Sequence, residues 1–287
     1  KRGRLADLVA MLSGRNFDTR QHEEAIVEDT FARLREGVLR FMNETNFKRL
    51  LMIIKSAGFV SASMIPSKNA LNFAYILLLH LRDERTPYDI VDRCVRRWFV
   101  MSILTERYSG SPESTFSQDI EQIKRHGVEL YLNSLTDGLL SESFWSVTLP
   151  QRLETTAINS PFFQVYKAAQ IKMNDRGFLS RDISVRELIE IRSDVHHVFP
   201  KDYLKKHGRS KTEYNQIANY VVAESPINIQ IGNREPSVYF GYIRDQVNGG
   251  ARHYGNITSP DELDENLRMN CIPEGVEAMT DVDYPRF

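Results

Sequence analysis

The feature that most constrains the fold of this chain is a helical spacing of apolar residues from residue 5 to about residue 174. Apolar side chains recur there every three or four positions, which places them on one face of a helix. One such series is Phe31, Leu34, Val38 and Phe41. Residues 47–54 and 70–81 are more apolar throughout, as in helices buried among others. The sequence therefore predicts an all-α region over residues 1–175.

The pattern changes after this region, where short segments typical of strands appear. Residues 193–199 contain two valines and a phenylalanine and end at Pro200, which predicts a strand. Residues 219–223 predict a second strand, separated from the first by a long loop. Residues 227–231 alternate isoleucine with polar residues, a pattern that favours a strand over a helix.

A helix is predicted for residues 237–245, because Pro236 precedes them and proline is common at helix starts. The expected fold class is therefore mainly α, with a helical-bundle region followed by a small α+β domain over residues 176–260. Residues 261–287 are acidic and poor in pattern, which predicts a partly ordered C-terminal tail.

Composition limits the partners and the compartment of the protein. The chain has 37 Lys and Arg residues against 38 Asp and Glu residues, so a nucleic-acid surface would have to be local. Cys94 and Cys271 are too few for a cysteine-rich zinc module and fit a reducing cytoplasm. No apolar run reaches the roughly 20 residues of a membrane-spanning helix, so no membrane association is expected. The first residue is Lys1, which suggests that an upstream part is missing.

Two adjacent histidines and two asparagines form the candidate chemical site. His196 and His197 share a predicted strand, so their side chains point to opposite faces and would have different tasks. Asn219 opens the second predicted strand, and Asn228 follows it. Such a set is compatible with a hard cation that keeps water ligands, and Asp194 is a further candidate ligand or partner of an imidazole.

The segments Asp-Val-His-His-Val-Phe-Pro at residues 194–200 and Asn-Tyr-Val-Val-Ala-Glu-Ser-Pro-Ile-Asn at 219–228 resemble the ββα-metal motif of His-Asn-His (HNH) nucleases. The wider chain is similar to the GmrSD-type modification-dependent (type IV) restriction endonucleases, whose C-terminal part is such a nuclease. The residues that carry this wider similarity are 97–99, 105–113, 168–171, 199–204 and 214–219. Members of that family have an N-terminal nucleotide-hydrolysing domain, so the resemblance implies that this chain is a fragment.

The resemblance implies a role for each residue of the site. It implies that His196 binds the metal and that His197 is the general base. By the same resemblance, Asn219 would hold the loop between the strands, and Asn228 would complete the metal ligands. The implied cofactor is Mg²⁺ or Mn²⁺, and the implied substrate is double-stranded DNA, modified in this family; a homodimer is left open. The implied function is a metal-dependent endonuclease that hydrolyses DNA phosphodiester bonds as the effector of an anti-phage restriction system.

Several polar residues have two interpretations each. The loop between the predicted strands carries basic residues that would either contact DNA phosphates or simply be solvated: Lys201, Lys205, Lys206, Arg209 and Lys211. The arginines Arg93, Arg96 and Arg97 are a second candidate DNA surface, although a solvated helix face is the simpler interpretation. Asp119 is expected on a helix surface. The alternative function is a catalytically inactive HNH-like module that binds DNA or another protein.

Overall fold

The computed structural model describes residues 9, 12–16, 19, 21–23, 27–191 and 195–287. Within these residues the fold is mainly helical, with fourteen α-helices and one two-stranded sheet. The first nine helices are α1 (Val27–Phe41), α2 (Glu44–Ser56), α3 (Lys68–Asp83), α4 (Tyr88–Leu104), α5 (Pro112–His126), α6 (Val128–Leu139), α7 (Leu149–Leu153), α8 (Pro161–Met173) and α9 (Val185–Glu190). The remaining elements are β1 (Val195–His197), α10 (Lys201–Lys206), α11 (Lys211–Tyr214), β2 (Tyr220–Val222), α12 (Ser225–Ile231), α13 (Pro236–Val247) and α14 (Pro260–Met269).

The largest core lies among α2–α6, α8 and α9. Residues 47–54 and 70–81 contribute buried side chains to it as predicted, whereas α1, which carries the series from Phe31 to Phe41, has no buried residue. Phe73 of α3 stacks on Trp98 of α4 with ring centroids 5.2 Å apart, and both side chains are fully buried. Gly58 follows α2 and adopts a positive φ of 94°, where a Cβ would meet the Ala168 carbonyl oxygen at 2.1 Å. Only glycine therefore lets the turn after α2 pack against the backbone of α8. No helix among the described residues is long and apolar enough to cross a bilayer.

Asp119 on α5 is buried, which corrects the expectation that it lies on a helix surface. Its carboxylate accepts hydrogen bonds from Arg107, from the hydroxyl of Tyr108 at 2.8 Å and from the hydroxyl of Tyr131 at 2.9 Å. The Tyr108 hydroxyl in turn accepts from the Trp98 indole at 2.9 Å. Burial and the nearby carboxylate raise the pKa of Tyr131 to about 12. The charge is tolerated in the core because each partner is satisfied.

The second core lies around β1, β2 and the helices that follow them. Tyr239 and Phe240 of α13 are fully buried there, and the Tyr239 hydroxyl donates to the Val198 carbonyl at 2.9 Å. Residues 227–231 form part of α12 and not a strand, which corrects the expectation from their alternation. The reason is that Ile227 and Ile231 are one helical turn apart and both buried, whereas Ile229 between them is 76 % exposed. The helix predicted at 237–245 is present as α13.

The acidic C-terminal segment packs into this second core, so the expectation of a partly ordered tail differs from what is found. Leu263 and Leu267 of α14 are buried, and Val276 and Tyr284 join them in the same core. The side chain of Asn266 accepts from the Leu179 amide at 2.8 Å and donates to the carbonyls of residues 177 and 180 at 2.9 Å. The acidic side chains lie on the outer face of α14. Because they dominate the composition of this segment, its periodic apolar face is not evident from composition alone.

Residues 281–287 also contact the segment between β1 and β2 through hydrogen bonds and aromatic rings. The Tyr284 hydroxyl donates to the Glu213 carbonyl at 2.8 Å, and the amide of Asp281 donates to the Tyr203 hydroxyl at 3.0 Å. The ring of Phe199 packs between Tyr284 and Phe287, with centroids 5.1 and 4.9 Å away. This segment is therefore tied to residues about seventy to ninety positions earlier.

Candidate functional site

The candidate site is built on the two-stranded ribbon formed by β1 and β2. The strands are antiparallel, with His196 opposite Val221 and His197 opposite Tyr220. Residues opposite each other share a face, and neighbours on one strand face opposite ways. His197 therefore shares a face with Tyr220, which joins a small cluster with Phe163 of α8, whereas His196 shares the other face with Val221. The two histidines are separated in the way that the strand periodicity predicts.

The imidazole of His197 is half-buried and held by one hydrogen bond and two aromatic rings. Its Nε2 atom lies 3.0 Å from the Asn215 Oδ1 atom, and the rings of Tyr220 and Tyr214 approach it edge-on at 5.1 and 6.5 Å. Because Oδ1 only accepts, Nε2 carries the hydrogen in this arrangement, and Nδ1 is left to accept a proton. Burial lowers the pKa of His197, the Asn215 hydrogen bond opposes this, and the charge of Lys201 lowers the pKa further. The imidazole is therefore neutral at neutral pH.

Asn219 is buried where the segment between the strands returns to the ribbon. Its Oδ1 accepts from the Phe199 amide at 2.7 Å, and its Nδ2 donates to the carbonyls of Phe199 and Tyr214 at 3.1 Å. The residue closes a short 3₁₀ turn, Ile217–Asn219, and β2 begins one residue later than the sequence pattern predicts. One side chain thus joins the exit of β1 to the end of α11, next to Asn215.

His196 lies on β1 and Asn228 on α12, the helix that follows β2, with α10 and α11 between the two strands. Asn228 is half-buried in the middle of α12, and His196 is half-buried on β1. Asp194, the further candidate, lies outside the described residues. Among the described residues there is no cluster of three or more histidine, cysteine or carboxylate side chains placed to hold a metal. The two expected metal ligands are the imidazole of His196 and the side-chain amide of Asn228. They include only one histidine and no carboxylate, so they would not form such a cluster by themselves.

Two of the five basic residues between the strands lie near the Tyr214 ring, which flanks His197. The ammonium groups of Lys201 and Lys205 lie 6.0 and 5.8 Å from the centre of the Tyr214 ring, the same ring that flanks the imidazole. Lys205 also forms an ion pair with Asp202 at 3.3 Å. Lys206 and Lys211 are exposed. Arg209 is engaged within the protein, since it donates to the Asp281 carbonyl at 2.7 Å and pairs with Glu213 at 3.5 Å.

Compared with known proteins, the chain matches no family model, and no curated protein or solved structure is significantly similar to it. The chemistry of the site itself is therefore what indicates a function. Its functional groups are the two histidines, the buried amide of Asn219 and the half-buried amide of Asn228.

Asn215 is the site residue that the sequence did not single out. It lies four positions before Asn219 in a polar loop, with no periodicity or spacing that would distinguish it from a solvated residue. Its contact with His197 depends on the end of α11, which Asn219 holds through the Tyr214 carbonyl. Chemistry could have indicated such a residue, because a histidine that acts as a base requires a hydrogen-bond partner on its second nitrogen.

Proposed function

We propose that this protein is a metal-dependent endonuclease that hydrolyses phosphodiester bonds of DNA with an HNH-type site. The observation that carries the proposal is the arrangement of the ribbon. His197 and His196 occupy opposite faces of β1, β2 starts directly after the buried Asn219, and Asn228 lies on the helix that follows. This order of elements and side chains is the one that the resemblance to HNH nucleases implies. Its biological setting in this proposal is restriction of foreign, modified DNA.

His197 is suited to remove a proton from an attacking water. A neutral imidazole with its Nε2 hydrogen engaged presents Nδ1 in a fixed orientation, and general bases of this kind contribute about 10²- to 10⁴-fold to rate. Asn219 supports this position indirectly. It ties the Tyr214 carbonyl to the exit of β1, and Asn215, the residue that holds the imidazole, directly follows Tyr214.

The donor set fits Mg²⁺ or Mn²⁺ held by few protein atoms. His196 and Asn228 would supply an imidazole nitrogen and an amide oxygen, which leaves the other positions to water and substrate oxygens. When bound, such a cation would supply a Lewis acid for the scissile phosphate. The chain's own contribution is to place His196 on the face of β1 opposite to that of His197, with Asn228 on the helix that follows β2.

The charges around His197 favour an anionic substrate. Lys201 and Lys205 lie over the Tyr214 ring, and the charge of Lys201 acts on the imidazole. Lys206 and Lys211 are exposed in the same segment. Phosphate contacts of this kind position a nucleic acid without reading its sequence. The basic groups are local, which agrees with a net charge of −1 for the whole chain.

The first test is plasmid cleavage. Purified protein is expected to convert supercoiled plasmid to nicked or linear DNA when Mg²⁺ or Mn²⁺ is added, and to leave it intact in EDTA. Gel electrophoresis of the products measures this directly. Strong cleavage in EDTA would contradict the metal requirement. A folded protein that binds DNA or a protein partner but cuts nothing with either metal would instead support the alternative of an inactive HNH-like module.

A second prediction concerns Asn215 as a positioning residue. Asn215→Leu keeps the size of the side chain but removes the acceptor, so cleavage is expected to fall by about 10- to 100-fold with little change in melting temperature. Asn215→Asp keeps an oxygen acceptor and is expected to retain cleavage. Its carboxylate also favours the protonated imidazole, so the acidic limb of the rate against pH moves to higher pH.

Gln216→Glu is the matched control for this pair. It adds the same charge one residue away, where the side chain donates to the Thr212 carbonyl and does not contact His197. Equal activity of the Leu and Asp variants at position 215 would contradict the assigned role of Asn215.

A further inference from the structure

An open groove in the helical region combines an apolar lining with a basic rim. It has a volume of about 360 Å³ and lies between α4, the end of α6 and the residues that follow α6. Val100, Met101 and Leu104 of α4 contribute to its floor. Arg96, Arg97 and Lys172 lie at its edge. The groove is distinct from the ribbon site, with which it shares no residue.

The three cations at the rim form no ion pair with an acidic side chain within the described part of the chain. Arg96 donates to the Ser56 hydroxyl at 3.3 Å, and Arg97 donates to the Asn133 Oδ1 atom at 3.0 Å. Arg93, one turn earlier on α4, is instead paired with Glu129 at 2.6 Å. Three positive charges around one groove without a carboxylate attract an anion.

The groove also holds one of the two tryptophans of the chain. The Trp145 indole donates to the Leu140 carbonyl at 2.9 Å and packs edge-on against Phe144, yet it is 46 % exposed. A fixed, exposed indole beside three cations is a surface on which a flat aromatic group attached to an anion would stack.

We propose that this groove binds an unpaired nucleotide of a DNA strand, with phosphates on Arg96, Arg97 and Lys172 and a base against Trp145. The inference rests on the proposed DNA-cleaving function and adds a second contact surface to it. A duplex would offer only phosphates here, because its bases are stacked inside the helix, and the apolar floor and the indole would remain unused. An unpaired nucleotide uses both the charges and the apolar surface.

The test is binding of a short oligothymidylate in EDTA to the His197→Ala protein, so that cleavage does not interfere. Trp98 is fully buried, so a change in tryptophan fluorescence reports on Trp145, and Trp145→Phe is expected to lose the signal. Combining Arg96→Ala, Arg97→Ala and Lys172→Ala is expected to weaken binding at least about tenfold. It should also reduce the slope of log affinity against log salt by about 2, at about 0.7 per phosphate contact on a single strand.

Arg93→Ala is the matched control, because its charge is already neutralised by Glu129, and it is expected to bind like the parent protein. An unchanged affinity and slope in the triple variant would overturn the proposal, as would tighter binding of a closed hairpin duplex with the same fluorescence change. Preferential binding of an acidic peptide would overturn it in favour of a protein-docking surface. Plasmid cleavage by the triple variant that retains His197 separates this proposal from the proposed endonuclease function. If cleavage is retained and oligonucleotide binding is unchanged, only the proposal about the groove is refuted.

Discussion

Replacing His197 with alanine is expected to reduce metal-dependent plasmid cleavage by about 100-fold or more while leaving the affinity for Mn²⁺ unchanged. The imidazole lies on the face of β1 that it shares with Tyr220 and Phe163, away from the face of His196. Loss of a general base removes rate without removing a metal ligand. His196→Ala should do the reverse and weaken Mn²⁺ binding measured by calorimetry, with cleavage lost as a consequence.

His207→Ala is the matched control for both variants. This histidine lies in the same basic segment, with its Nδ1 atom 2.9 Å from the Tyr203 carbonyl, and is partly exposed. It is expected to change neither cleavage nor metal affinity appreciably. If the His196 and His197 variants lost metal binding equally, the division of roles between the two faces of the strand would be wrong.

Asp119→Asn is expected to destabilise the protein by about 3–5 kcal/mol, the range found when one partner of a buried ion pair is removed. The substitution keeps the shape but leaves the guanidinium of Arg107 without its counter-charge in a site where its side chain is only 13 % exposed. It also replaces an acceptor by a donor facing the hydroxyls of Tyr108 and Tyr131. Urea denaturation followed by circular dichroism measures the change.

The comparison variant for this prediction is Glu121→Gln, two residues further along α5. Glu121 pairs with Arg125 at 2.6 Å, but both side chains are exposed, so the free energy of unfolding is expected to change little. A loss below about 1 kcal/mol for Asp119→Asn would show that the core relaxes around the unpaired arginine. DNA cleavage by folded Asp119→Asn protein should persist, because the network lies among the helices and not at the ribbon.

The sequence predicted those parts of the site that depend on local periodicity. Adjacent residues of a strand must face opposite ways, so the separation of His196 from His197 follows from the spacing of the chain alone. The element containing Asn228 could not be derived in this way, because isoleucines at every second position satisfy a strand and also satisfy a helix through their spacing of four. Only the surroundings decide, and here Ile227 and Ile231 pack into the second core while Ile229 stays in solvent.

Contacts between distant residues account for the other differences. Asp119 lies three residues after Phe116 and four before Ile123, on the apolar face of α5, but the sequence of this helix does not show that Arg107 and two tyrosines converge on the carboxylate. In the acidic segment, the charges dominate the composition, although Leu263 and Leu267 are one helical turn apart and buried. Such features follow from tertiary packing, which a pattern within one segment does not contain.

The tie between residues 281–287 and the ribbon bears on how the protein is made. A ribosome synthesises β1, the segment after it and β2 well before it reaches Asp281, Tyr284 and Phe287. Until those residues emerge, Phe199 lacks the rings that cover it, and the segment that carries Asn215 lacks its anchor. Contacts of such long sequence separation form late in folding. We therefore expect the nascent chain to hold His197 in an unformed site, so that the proposed base reaches its position only after residue 287 has left the ribosome.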